Sequence, residues 1–254
     1  MAASGRLYWF GNAAKARIVA EIMARPGPLT IFDYGAGTGG DWPEILRERP
    51  DFRLVCYEPH APSVRRLEER LQGLKAEVHA GDAIATLAVQ ADVIVSFSVL
   101  AQVYDRPAYF AHAARCLAPG GVFYLNYDDG HFRQKLDLNT PGAWVGPLKE
   151  HLGNLGGRLW ARLGRESWHQ RPAAAAEVEA LAKGAGLKVT STRYENLASL
   201  KALAKTVPPE KQQAFARFWI ETETRLNADF AEAAGGETNL WREMGSRTTT
   251  LVRA

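Results

Sequence analysis

Ile31-Phe32-Asp33-Tyr34-Gly35-Ala36-Gly37-Thr38-Gly39-Gly40 is the stretch whose reading decides the fold. Leu29 to Tyr34 is a short apolar strand, and the glycine cluster is the turn that leaves it. Glycines at such a turn let backbone approach a ligand closely and adopt angles closed to other residues. In an open α/β sheet this turn lies at the carboxyl end of the strands, where ligands bind. Two spacings fit. Gly35, Gly37 and Gly40 match G-x-G-x-x-G, the dinucleotide fingerprint. Gly35, Gly37 and Gly39 match a different spacing, with an acid, Asp33, two residues ahead. A carboxylate there suits a ligand bearing ammonium and sulfonium groups. It suits a pyrophosphate poorly, because like charges would meet in a partly dry site.

Outward from this turn, strands and helices alternate. Upstream, residues 12 to 25 read as a helix that Asn12 can cap and Pro26-Gly27-Pro28 stops. Downstream, Trp42 to Glu48 is helical, with Asp41 a candidate cap, and Arg53 to Tyr57 is a second strand. Ala61 to Gln72 is an amphipathic helix with Val64, Leu67 and Leu71 on one face. Lys75 to His79 is a third strand, and Val93-Ile94-Val95 lies in a fourth, apolar enough for burial on both faces. A helix over Pro107 to Leu117 and the turn Pro119-Gly120-Gly121 lead into a fifth strand, Val122 to Tyr127. The alternation predicts a doubly wound, mostly parallel sheet with helices on both faces. The pattern breaks at 130–171 and resumes with a helix, Ala173 to Lys183, and a strand, Leu187 to Thr192. A second insertion runs from 195 to 245, centred on a long aromatic helix from Pro209 to Phe230, before a last strand at Arg247 to Val252. The expected organisation is one domain, with a core over 12–129, 172–194 and 246–254 and helical lids at 130–171 and 195–245.

The acid-glycine spacing resembles the first motif of the class I S-adenosylmethionine-dependent methyltransferases, (Asp/Glu)-x-Gly-x-Gly-x-Gly. Further segments match that family in order: Cys56-Tyr57-Glu58-Pro59, Gly81-Asp82-Ala83, Ser96 to Val103, and Leu117-Ala118-Pro119-Gly120-Gly121. The resemblance covers residues 28 to 127 plus the final helix and strands, and it implies a seven-stranded sheet and S-adenosyl-L-methionine as cofactor. It implies that Asp33, Gly35, Ala36, Gly37 and Gly39 form the cofactor turn, with Glu58, followed by Pro59, accepting from ribose hydroxyls. An acid at a similar distance also serves NAD enzymes, so Glu58 supports a nucleoside without choosing between them. Asp82 would accept from the adenine amino group and Ala83 would bond a ring nitrogen through its backbone. Ser96 and Phe97 would lie beneath the methionine part, with Gln102 entering the same cleft.

Methyl transfer from a sulfonium is an in-line displacement, so the protein mainly supplies orientation and a dry site. A base is needed only where the acceptor must lose a proton. Candidates after the fifth strand are Tyr127, Asp128, Asp129 and His131; Tyr127 and His131 are favoured, His131 because it titrates near neutral pH. His151 and His169 are weaker choices. The expected acceptor is a small molecule. The excess of Arg and Lys between His131 and Arg171 would favour an anionic one, while Trp144, Trp160 and Trp168 could line a pocket for an aromatic one. The Tyr8-Trp9-Phe10 run could close over the cofactor.

Composition bounds the alternatives. The chain has 254 residues, 46% of them apolar, with a formal net charge of +3. That suffices for a full core and is too weakly basic to argue for nucleic acid. Methylation of base amines is further disfavoured, since Ser96-Phe97-Ser98-Val99 lacks the Pro-Pro-aromatic motif that those enzymes share. Cys56 and Cys116 read as buried small hydrophobes. The scattered histidines match no metal-ligand spacing. With neither a signal-like start nor about 18 consecutive apolar residues, the expected location is the cytoplasm, with no membrane partner. The aromatic helix could pair across a homodimer. The rival functions are a nicotinamide-dependent oxidoreductase, which leaves Asp33 and Asp82 unexplained, and a non-catalytic module of the same fold. An exposed apolar stripe on the 209–230 helix would favour the module; a buried one would favour a lid.

Overall fold

The computed structural model describes residues 12–81, 87–128, 172–229 and 243–254. Seven strands form one sheet: β1 (Thr30–Tyr34), β2 (Arg53–Tyr57), β3 (Ala76–His79), β4 (Ala91–Phe97), β5 (Leu117–Tyr127), β6 (Leu187–Leu197) and β7 (Met244–Arg253). Their order is β3-β2-β1-β4-β5-β7-β6. Pairing is parallel from β3 to β5, and β7 runs antiparallel to both β5 and β6. The chain order reverses between β1 and β4, and the first glycine turn sits at that switch point.

The helices follow from the same sequence signals. Asn12 caps α1 (Ala13–Met23) by accepting from the Lys15 backbone N–H at 3.1 Å. Asp41 precedes α2 (Trp42–Glu48) but makes no side-chain capping bond. Next come α3 (Ala61–Leu71) and α4 (Arg106–Cys116), whose cap Asp105 accepts from Ala108 N at 2.9 Å. They are followed by α5 (Ala175–Gly184), α6 (Ala198–Ala204) and α7 (Gln212–Asp229).

Alternation along the strands sends side chains to two apolar layers. Ile18, Ile31, Trp42, Leu54, Leu67, Val93 and Val95 fill the layer under α1, α2 and α3. Phe32, Ile94, Phe110, Phe123, Leu125, Val178 and Leu251 fill the other, under α4 and α5. Cys56 and Cys116 are free thiols in these layers, and burial pushes both upward in pKa.

Three strands extend past their expected limits. β5 begins at Leu117, and β4 and β5 pair irregularly between Ala91 and Val93. β7 begins at Met244, and β6 continues beyond Thr192 to Leu197, paired with it. Polar side chains hide the extension of β6: Glu195 and Asn196 are buried, not solvated. Arg17 Nε on α1 donates to Glu195 at 2.6 Å, the Thr248 hydroxyl donates to the same carboxylate, and Asn196 Nδ2 donates to Ser246 at 2.6 Å. The long aromatic helix begins as a 3₁₀ turn at Pro209–Lys211 and continues as α7. Its stripe is split: Trp219 is buried against Ala13, Leu200 and Ala204, while Phe218 is 54% exposed. No helix among the described residues is long and apolar enough to cross a membrane.

Candidate functional site

The carboxyl ends of β1, β2 and β4 converge on the first glycine turn. Gly35 has φ +91, and a Cβ there would overlap Val99 Cγ2. Sterics therefore disfavour any other residue at Gly35 on two counts. Gly37 has φ +58, but a Cβ on it would meet nothing within 4 Å. The loop thus presents open space above Gly37 while packing tightly below Gly35. It is anchored to the end of β2, because the backbone N–H groups of Gly35 and Ala36 both donate to the Tyr57 carbonyl, at 2.8 and 3.0 Å.

Glu58 sits at that anchor and is buried. One carboxylate oxygen accepts from Gly37 N at 2.8 Å and the other from His60 N at 2.9 Å. A carboxylate has about four lone-pair sites, so two backbone bonds fix the group and leave capacity for two hydroxyl donors. Pro59, next in the chain, is exposed.

Asp33 is 3% exposed and accepts from the Trp42 indole N–H at 2.6 Å. Burial pushes its carboxyl above the ordinary value, while the Lys15 ammonium and the Trp42 bond pull it back down. At the end of β4, Phe97 packs against the α1–α3 layer and Lys15 Nζ stands 5.4 Å from its ring centroid. Ser98 follows with φ 60, its N–H donating to the Asn126 carbonyl at 2.9 Å. Gln102 is exposed in a 3₁₀ turn, Leu100–Gln102.

Around this open loop, the carboxyl edge of the sheet thus combines a fixed acid at the β2 end, a buried acid at β1 and an aromatic ring at β4. A family model described as a methyltransferase domain matches residues 10–192.

The chain belongs to the class I S-adenosylmethionine-dependent methyltransferases.

S-adenosyl-L-methionine is the methyl donor after which that class is named. Two trans-aconitate 2-methyltransferases, from Acidovorax ebreus (strain TPSY) and Acidovorax sp. (strain JS42), are each 29% identical to this chain over 145 residues. Those residues cover 54% of this chain and 56% of each relative, so the chain spans about half the length of the curated relatives it matches. Among solved structures, a cyclopropane synthase from Mycobacterium tuberculosis superposes with a TM-score of 0.58 at 18% identity, covering 94% of this chain and 82% of that one. Geranyl diphosphate C-methyltransferase from Streptomyces coelicolor A3(2) gives 0.57 at 14% identity, covering 95% and 80%. At such identities the structural likeness speaks to the fold.

Not every residue singled out in the methyltransferase sequence reaches the cleft. Ser96 is fully buried on the α4 side, where its hydroxyl donates to the Tyr34 carbonyl at 3.0 Å. Its side chain is spent inside the sheet. Tyr127 lies in the α4–α5 layer, 2% exposed, with its hydroxyl 3.4 Å from Thr249 Oγ1. Burial pushes this phenol above its ordinary value, and position and acidity both count against it as a base. Asp82, Ala83 and Asp129 lie outside the described residues, as do His131, His151, His169, the Tyr8-Trp9-Phe10 run and Trp144, Trp160 and Trp168. Among the described residues no group of three or more His, Cys, Asp or Glu is arranged to hold a metal ion.

Two features of the site carried no sequence signal. Trp42 reads as an ordinary apolar position of α2, and only the fold turns its indole onto Asp33. Lys15 lies within the first helix, and only the fold brings its ammonium to the Phe97 ring.

Proposed function

We propose that this enzyme transfers the methyl group of S-adenosylmethionine to an oxygen or nitrogen atom of a small metabolite bearing carboxylate groups. The observation that carries this reading is the similarity to the trans-aconitate 2-methyltransferases, whose named acceptor is a carboxylate. The excess of Arg and Lys between His131 and Arg171 agrees with it.

In this reading Glu58 accepts from the ribose hydroxyls, the Gly35–Gly39 turn lets the cofactor lie close to backbone, and Asp33 faces its ammonium end. Asp82 and Ala83 hold the adenine, and Phe97 and Gln102 border the methionine part. When bound, the cofactor supplies the electrophilic methyl. That methyl would go to a lone pair on the acceptor oxygen or nitrogen with the donor's sulfur as leaving group, so the chain's own residues need only align the acceptor in line with it. A carboxylate acceptor has no proton to lose, so the product is an ester and no base is required. An acceptor with an N–H or O–H would need one, and His131 is the residue we assign. The lid expected at 130–171 lies outside the described residues, and the helices α6 and α7 between β6 and β7 serve to exclude water from the displacement.

Methyl-labelled cofactor incubated with a panel of small carboxylic acids, trans-aconitate included, and with their methyl esters tests this. Label should enter the free acids as a base-labile ester. Transfer that is indifferent to acceptor charge would sink the anionic reading.

A further inference from the structure

We propose that the groove between α6 and α7 binds an amphiphilic anion, an alkyl chain ending in a carboxylate. The groove is built from residues other than those of the glycine turn and its acids, so the proposal does not depend on which acceptor the enzyme takes.

Leu203, Val207, Pro208, Phe215 and Phe218 line the groove, and Lys211 stands among them. Its volume is about 430 Å³. A recess of that size, with apolar walls and few polar groups, is built like a small-molecule site. The helix pair has two sides. Leu200, Ala204 and Trp219 are buried against Ala13 of α1, with Phe215 packed on that cluster. Leu203 and Phe218 are each 54% exposed. Core packing on one side therefore holds the two helices together and leaves the apolar groove on the other side open to solvent. The connection between the helices is stiff. Thr206 N and the Thr206 hydroxyl donate to the Leu203 carbonyl at 2.9 and 2.8 Å, Lys211 N donates to the Pro208 carbonyl at 2.9 Å, and Pro208 and Pro209 have fixed φ. Charge selects the occupant. Residues 198–218 carry Lys201, Lys205, Lys211 and Arg217 against the single acid Glu210, and all five are exposed. This stretch thus holds as much net charge as the whole chain, +3. A second copy would bring the same cations against these and be repelled, whereas an anionic head is drawn to Lys211 while its chain lies along the apolar walls.

The competing explanation is a set of surface apolar side chains that bind nothing. Calorimetric titration of the full chain with dodecanoate, below its micellar concentration, separates the two. Dodecanoate should bind at least about 10-fold more tightly than hexanoate, since each further methylene buries apolar area. It should exceed dodecyltrimethylammonium by about 10-fold as well, since that head is repelled. Phe218→Ser and Lys211→Glu change exposed positions, so both variants should fold with an unchanged urea midpoint. Each should weaken dodecanoate about 5- to 20-fold and leave S-adenosylhomocysteine affinity as in wild type. Failure of dodecanoate to bind wild type would overturn the proposal, as would an affinity that neither variant alters. Displacement of dodecanoate by saturating S-adenosylhomocysteine would put the amphiphile in the cleft and overturn it too. Two further results would assign the groove to another occupant and so overturn it. One is binding to phosphatidylglycerol vesicles without binding to the free carboxylate; the other is a wild-type dimer that Phe218→Ser dissociates.

Discussion

At Gly35 a methyl group has nowhere to go, whereas at Gly37 it has open space. The two glycines of one motif therefore fail differently when changed. Gly35→Ala collides with Val99 at an unfavourable φ and should cost stability, about 1–3 kcal/mol or more, seen as a lowered midpoint in urea. Gly37→Ala should cost only about 1–2 kcal/mol for its left-handed backbone. Its Cβ projects over the loop, so cofactor affinity should fall out of proportion to stability. Equal losses of stability in the two variants would contradict the packing described for Gly35. Both glycines and Glu58 were legible in the sequence, because motif spacing encodes a turn and an acid at the end of the next strand. Trp42 and Lys15 were not, because their roles depend on which face of the sheet α1 and α2 cover. Ser96 misled for the same reason: strand alternation turns its hydroxyl away from the cleft, toward the α4 side.

Among the elements, the junction of α1, β6 and α7 holds the most buried charge. Glu223 on α7 accepts from Leu197 N at 2.7 Å and from the Trp219 indole at 2.5 Å. Burial is the main cause that raises its carboxyl from 4.5 to about 7, with the Glu195 charge adding to it. The folded state therefore holds this proton more tightly than the unfolded chain does. Stability from Glu223 is fully present below about pH 4.5 and is lost as pH rises through about 7. The loss is at most about 3 kcal/mol. Glu223→Gln should flatten the decline over that window and raise stability above pH 7, as read by urea denaturation at a series of pH values. A variant whose stability runs parallel to wild type would refute this. At the same junction, Arg17→Met leaves the buried Glu195 with only Arg193, 3.9 Å away, and should cost about 3 kcal/mol. A midpoint within about 0.5 kcal/mol of wild type would contradict the pairing. The sequence hid this junction: Glu195 and Asn196 read as the start of the second insertion, yet their partners on α1 and β7 make them the buried end of a strand.

For the whole molecule, alternation and the acid-glycine motif were enough to define the sheet, its parallel part and the cofactor. Periodicity is local, and hydrophobic runs marked most strand and helix limits to within a residue or two. The last strand was legible in its β-branched run, but the antiparallel insertion of β7 between β5 and β6 is a long-range pairing that no local pattern writes. The acceptor is less legible still, because it depends on side chains grafted onto the fold by segments outside the alternating core. The account centres on the cleft above Gly37 and Glu58 as the cofactor site. Calorimetric titration of wild type and Glu58→Ala with S-adenosylhomocysteine and with NAD tests it most directly. The account predicts micromolar binding of S-adenosylhomocysteine, about −8 kcal/mol, weakened about 10- to 100-fold in the variant, and no heat from NAD. Binding of NAD, or S-adenosylhomocysteine affinity that Glu58→Ala leaves unchanged, would contradict it.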